Sequence, residues 1–542
     1  MAADGSHRSF DSAALLFALF FLILLTLHLP LLRLPYFWDE AGYYVPAAHD
    51  LLLHGTLIPQ STPSNAHPPL VMVYLALAWK GLGYAPAVTR IAMLAIAAFS
   101  LLGVFRLAQR VANTEVAIAS AICTALYPVF FAQSSLAHLD LAAAGLTIWG
   151  LLAYVEGRNA ATAFWFSLAV LTKETAILAP IAVFIWTLAS AGLGKKFSQF
   201  SQMPEDSPVA TSRFPSLIAL LVPLLPLSLW YAYHFLRTSF VFGNPEFFRY
   251  NVQATMEPMR ILLAVFLRLW QVLGYMNLYL LTLPALGAMF LVPLCDRGEE
   301  RLRIAVPTQL SFLVVILAYV IAMAVVGGAV LARYMLPVLP LVIIVMVSTL
   351  HRRVRMWRGV IAIVVLAFVA ALFVNPPYGF SIEDNLAYRD YIQMHQHAAD
   401  FVEAHYPMAR VLTAWPGNDE LTRPYLGYVT RPMRVVRIEN FTIEELTTAK
   451  NMRGTFDVAL VFSTKYQPVH SWFESWQTWQ EWKTRYFGYH RDVPPAAAAQ
   501  ILGGHIVHSE ARDGQWASVI EMDRVEEAWA DRHVDAHRSC QR

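Results

Sequence analysis

Two acids and two tyrosines stand together at Trp38-Asp39-Glu40-Ala41-Gly42-Tyr43-Tyr44, directly behind a long apolar run. The chain is 57% hydrophobic and only 14% charged, so an ionisable residue beside an apolar segment is costly and therefore informative. Further such groups follow at Asn65-Ala66-His67-Pro68-Pro69-Leu70, His138-Leu139-Asp140, Leu171-Thr172-Lys173-Glu174 and Ala332-Arg333-Tyr334. These residue types suit displacement at a sugar carbon with a phosphate leaving group. A carboxylate can take the proton of an attacking hydroxyl, the role expected of Asp39 with Glu40 beside it. Lysine and arginine can hold a phosphate and stabilise its growing charge, the role expected of Lys173 and Arg333, with Tyr334 adjoining them. Tyr43, Tyr44, His67, His138 and Asp140 are the expected supporting and substrate-facing groups. Asp39 and Asp140, with His67 or His138, would also suit a divalent cation.

Taken singly, each residue has an ordinary explanation. Asp39-Glu40 and Asp140 can cap helices, Lys173 can snorkel, Arg333 can anchor a membrane interface, and His67 can be a loop residue. The case for chemistry rests on all of them lying on one side of a membrane, and that depends on the elements that carry them.

Apolar runs near the ~20-residue spanning length occur at about 14–34, 87–108, 114–132, 141–156, 161–174, 176–193, 215–235, 274–294, 305–326, 336–350 and 359–374. The first is too long for a signal-peptide core and is expected to remain as a transmembrane helix. The connections holding Arg106/Arg110, Arg158, Lys195/Lys196/Arg213, Arg297/Arg301/Arg303 and His351-Arg352-Arg353-Val354-Arg355 are basic, which assigns them to the cytoplasm. The alternation holds only if apolar residues 68–83, opening on Pro-Pro and ending on Trp79-Lys80, lie along the membrane surface. Residues 259–273 are expected to be a second interfacial helix. The expectation is a polytopic α-helical membrane domain over 1–375, with eleven spanning helices and a first extracytoplasmic loop at about 35–86. After Pro376-Pro377 the composition becomes that of a soluble domain, and 376–542 is expected to be an extracytoplasmic α/β domain. His395, His397 and Trp415-Pro416-Gly417-Asn418-Asp419-Glu420 are its candidate contact points, with a structural role favoured for both.

A net charge of +2 without a basic stripe argues against nucleic acid as a partner. Cys123, Cys295 and Cys540 form neither a disulfide framework nor a metal motif. No nucleotide-binding glycine loop is present. A secondary transporter would place charges in mid-helix and show two similar halves, whereas these charges sit at helix ends in dissimilar halves. A non-catalytic scaffold would tolerate loss of Asp39.

At these positions the sequence resembles the GT-C glycosyltransferases, in the branch of the protein O-mannosyltransferases and the lipid A aminoarabinose transferase. The matching elements are Trp38-Asp39-Glu40 with Tyr43-Tyr44, His67-Pro68-Pro69-Leu70, the Asp140 loop, Leu171-Thr172-Lys173-Glu174 and Arg333-Tyr334 with Leu336-Pro337, in order over about 15–340. The resemblance implies a GT-C-like fold in the cell's inner (plasma) membrane, an essential acid at Asp39 and a juxtamembrane helix at 68–83. It also implies a polyprenyl-phosphate-linked sugar as donor, inverting transfer and no required cofactor. The oligosaccharyltransferase branch adds the alternatives of a divalent cation and of a lipid-linked oligosaccharide transferase or polymerase. The third-loop motif departs from its relatives in reading Lys-Glu-Thr, and the tail aligns with neither named subfamily. The acceptor, whether glycolipid, protein or glycan, therefore stays open.

Overall fold

The computed structural model describes residues 4–197, 213–245, 248–249, 252–296, 298–468 and 475–523. It divides into two compact units, 1–390 with 470–489, and 391–469 with 490–542.

The first unit is helical. Five of its helices are long and apolar enough to cross a membrane: Ala13–Leu31, Pro86–Val111, Pro215–Thr238, Pro258–Asn277 and Val306–Val325. Shorter apolar helices occupy Thr114–Leu126, Leu139–Val155, Asn159–Thr172, Glu174–Ser190, Tyr279–Ala288 and Trp357–Phe373, and Leu339–Arg353 completes the set. A helix lies in each run expected from the sequence, and the protein is a multi-pass membrane protein. Local signals set the ends. Pro86 opens its helix at a position where no amide donor is needed. Asn113 caps the next helix by accepting from Val116 N. Pro128 breaks the run at Tyr127, which is extended, so that Pro128–Gln133 forms a separate short helix. Apolar faces of these helices, with Leu101, Val104, Ile148, Phe312, Val342 and Ile344 among them, form the core.

Leu70–Leu82 has 13 residues, or about 20 Å of helix, short of a ~30 Å hydrocarbon core. Pro258–Asn277, expected to lie along the membrane surface, is also long and apolar enough for a span by length and composition. The charges that suggest a surface helix in the sequence turn inward. Arg260, Arg268 and Gln271 are buried, while Leu262, Phe266 and Trp270 are exposed on the other side.

A two-stranded hairpin, β1 (Cys295–Asp296) and β2 (Glu299–Glu300), links two of the helices. The second unit is α/β. Its strands β3 (Arg410–Ala414), β4 (Arg434–Ile438), β5 (Val458–Phe462), β6 (Gly504–Arg512) and β7 (Gln515–Met522) form one sheet in the order β4-β3-β5-β7-β6. β3 pairs in parallel with β4 and β5, and β7 pairs antiparallel with β5 and β6. Every residue of central β5 is buried. The β6–β7 turn is Asp513-Gly514, both with positive φ, the geometry that keeps two-residue hairpins aligned with strand twist.

The helix Ala387–His405 starts in the first unit and continues into the second. The first unit runs past 376 because residues 382–385 dock on it. Gln133 Nε2 donates to Glu383 O at 3.2 Å, Tyr275 OH donates to Asp384 Oδ2 at 2.6 Å, and Asn385 Nδ2 donates to Ala371 O at 3.3 Å.

Candidate active site

Behind the first helix, Trp38 takes a left-handed conformation (φ 45°), and one π-helical turn, Glu40–Tyr44, feeds into the helix Val45–His54. Asp39 precedes that turn but makes no capping hydrogen bond to it. Its carboxylate instead accepts from Arg333 Nη2. Asp140, in the first turn of Leu139–Val155, likewise accepts from a side chain, Lys173 Nζ, at 2.5 Å. Lys173 and Arg333 are buried, so neither snorkels nor anchors an interface.

Arg333 is the hub. Its Nη1 donates to Glu383 Oε2 at 2.7 Å and lies 2.9 Å from His138 Nδ1, and its Nε stands 3.4 Å from Asp140 Oδ2. The neighbouring ring of Tyr334 has Lys173 Nζ over it at 4.2 Å and the guanidinium carbon of Arg268 at 5.4 Å. The segment carrying Arg333 is clamped from the Pro258–Leu273 helix. Arg268 donates to Leu331 O at 2.6 Å, Gln271 to Val330 O at 2.8 Å, and Arg260 to Gly327 O at 2.8 Å and Gly328 O at 3.1 Å. Gly327 sits at φ +106°, a conformation that a side chain would strain and that turns these carbonyls toward the arginines.

The other expected residues form a ring around this hub. Glu40 turns away from Asp39 and is fully buried against Arg90. It accepts from the amides of Phe37 at 2.8 Å and of Ala137, while Arg90 donates to Pro35 O at 2.8 Å and Ser135 O at 2.9 Å. The pair thus ties the first loop to the second and sets Asp39 opposite Asp140. His67 meets Glu174 at 2.8 Å. The ring of Tyr44 lies 6.1 Å from that of His67 and 6.0 Å from that of His138. Tyr43, Tyr44, Thr62, Asn65, His67 and Trp230 line a small cleft in the first unit. His395 and Glu420, paired at 2.7 Å, are buried within the second unit, and His397 pairs with Glu510 on its surface.

Two cations, Arg333 and Lys173, therefore meet three carboxylates, Asp39, Asp140 and Glu383. The surplus negative charge is costly in a buried place and is relieved by protonation. Burial, with Asp39 and Asp384 nearby, pushes Glu383 up to about 8 despite Arg333, and burial likewise pushes Asp384 up to about 7. Burial and the charges of Arg333, Arg90 and Lys173 hold His138 well below its usual range, hence neutral.

Among the described residues, no three His, Cys, Asp or Glu side chains gather as a metal-ligand set. Asp39 and Asp140, the pair suited to a cation, both meet the Arg333 guanidinium. Sequence reasoning missed Glu383, Arg90 and the Arg268 clamp. The only signal for Glu383 was an acidic pair, Glu383-Asp384, soon after Pro376-Pro377.

A family model described as dolichyl-phosphate-mannose-protein mannosyltransferase matches residues 66–203. The structure is similar to ArnT from Cupriavidus metallidurans bound to undecaprenyl phosphate, with a TM-score of 0.53 and 13% identity over 94% of this chain and 97% of that one. Apo ArnT from the same organism gives 0.48 and 14%, over 96% and 98%. The oligosaccharyltransferase AglB from Archaeoglobus fulgidus, in complex with an inhibitory peptide and a dolichol-phosphate, gives 0.43 and 11%, over 90% and 70%. No curated protein sequence matches. The fold is thus that of the GT-C membrane enzymes. The family model agrees with that fold over residues 66–203.

Proposed function

We propose that the protein transfers a sugar from a polyprenyl-phosphate donor to an extracytoplasmic acceptor, with Asp39 as general base. The observation that carries this reading is the exposure of Asp39. Its side chain is 20% accessible, whereas Asp140 and Glu383 in the same cluster are each 3% accessible. Asp39 is the carboxylate of this group that an acceptor hydroxyl can reach. It takes the hydroxyl proton as the oxygen attacks the anomeric carbon. The bond from that carbon to the phosphate oxygen breaks, and the electron pair leaves with the phosphate, whose charge Arg333 and Lys173 stabilise. Attack opposite the leaving group inverts the centre. Glu40 acts with Arg90 as a positioning pair. Tyr43, Tyr44 and His67 face the substrate from the cleft, and Tyr334 carries Lys173 on its ring. No metal is required in this reading.

The undecaprenyl phosphate bound to ArnT in the same fold supports the lipid-phosphate donor. The basic connections support eleven spans in the plasma membrane, with the site and the 376–542 domain outside. Purified protein in proteoliposomes, given a panel of radiolabelled undecaprenyl-phosphate sugars, tests the activity. Transfer or hydrolysis of one donor by the wild type and its loss in Asp39→Asn are expected. Full activity of Asp39→Asn would remove Asp39 from the role of base. Cysteine accessibility at Arg106 and Lys195 tests the topology, and labelling of Arg106 from outside would overturn it.

A further inference from the structure

The two cations assigned to the donor phosphate are already occupied. Every nitrogen of the Arg333 guanidinium faces a partner: Nη1 holds Glu383 and His138, Nε faces Asp140, and Nη2 holds Asp39. Lys173 is bonded to Asp140 and covered by Tyr334. A phosphate that meets Arg333 from the most exposed side of the cluster takes the place of the carboxylate that lies there. Lys173, Arg333, Asp140 and Glu383 have side chains at most 7% exposed, and Asp39 at 20% lies over them.

We infer that Arg333 holds Asp39 until the donor's phosphate takes the Nη2 edge of the guanidinium, so that donor binding itself releases the base. The inference rests on the reading above of Asp39 as base and of a lipid-phosphate donor. While Asp39 accepts from Nη2, that oxygen is taken up by the guanidinium. When phosphate displaces it, the carboxylate oxygen is free to accept from an acceptor hydroxyl. Glu383 and His138 keep the Nη1 edge, so Arg333 stays aimed while Asp39 moves. After transfer the phosphate departs and Asp39 returns to Nη2. The exchange frees the base only while a donor is present.

The test is binding, read apart from turnover. The probe is undecaprenyl phosphate, titrated into full-length protein in lipid nanodiscs. Asp39→Asn removes the competitor and is expected to bind the probe roughly tenfold more tightly than the wild type, as for one charge-assisted hydrogen bond no longer broken. In an Arg333→Gln background the same Asn substitution is expected to bring no gain, which separates release of Arg333 from general loss of negative charge. An infrared difference spectrum of the wild type provides a second measurement that does not depend on the folding of Arg333→Gln. Probe binding should shift a carboxylate band, and the shift should be missing in Asp39→Asn. Equal or weaker binding by Asp39→Asn, a gain that survives in Arg333→Gln, or an unshifted band would overturn the exchange and leave the proposed activity standing. Failure of the wild type to bind the probe would remove both.

Discussion

The sharpest contrast between neighbouring acids lies between Asp39, the proposed base, and Glu40, which is buried against Arg90. Glu40 and Arg90 are side chains 0% and 1% exposed, and together they bond four backbone groups of the first two loops. Glu40→Ala leaves Arg90 charged and uncompensated, and breaking such a buried pair costs about 3–5 kcal/mol. It also strands the amides of Phe37 and Ala137, each of which adds about 1–3 kcal/mol where no water enters. Even the lower figure is a large share of a typical folding free energy of about 5–15 kcal/mol. The expected result is a clear fall in the unfolding temperature of the detergent-solubilised protein, followed by tryptophan fluorescence. Glu40→Gln, which keeps one acceptor, should lie between alanine and wild type. Replacing both partners, as Glu40→Met with Arg90→Met, should recover much of the stability lost in either single variant, because no lone buried charge remains. The reasoning would be refuted by a Glu40→Ala protein that unfolds at the wild-type temperature yet has lost transfer, since Glu40 would then act as a chemical group.

Three further outcomes are expected. Arg268→Ala frees the carbonyls of the Arg333 segment and should expose 327–331 to limited proteolysis while lowering turnover more than donor affinity; an unchanged cleavage pattern would argue against the clamp. Glu383, with its folded pKa raised to about 8, binds a proton in the native state that the unfolded chain releases near 4.5, so its contribution to stability is lost as pH rises through that window. Glu383→Gln should flatten that limb of a melting-temperature profile against pH, and an unchanged profile would show that Glu383 does not titrate there. Because a guanidinium lies between Asp39 and Asp140, transfer should persist after chelation of divalent cations, and loss restored by added cation would show that the acids can rearrange around a metal.

Charged groups at helix ends in an apolar chain could be read from the sequence because their burial needs a reason. Asp39, His138, Asp140 and Arg333 were expected to gather on that ground, with Lys173, and they do meet around one guanidinium. The roles within the cluster were less legible. Glu40 adjoins Asp39 in sequence, yet the left-handed Trp38 and the π-helical turn send the two carboxylates to opposite sides. Arg260 and Arg268 on an amphipathic helix read as surface charges because their partners are backbone carbonyls about sixty residues further on, which sequence does not mark. Glu383 was placed in the soluble tail because a proline pair normally ends a domain, and its return to the first unit depends on tertiary contacts alone. The α/β character of the tail was expected from the change of composition after Pro376-Pro377, while its strand order was not legible.

The arginine clamp also bears on how an anion finds the site. Arg333 and Lys173 are neutralised at short range by their own acids and project little field. Arg268 is bonded to neutral oxygens, those of Met323, Leu331 and Gln271, and so carries its full charge at the back of Tyr334. Attraction at a distance and grip at contact then fall to different residues. The rate at which a lipid phosphate arrives should follow Arg268 and weaken with salt, while the strength with which it is held should follow Arg333.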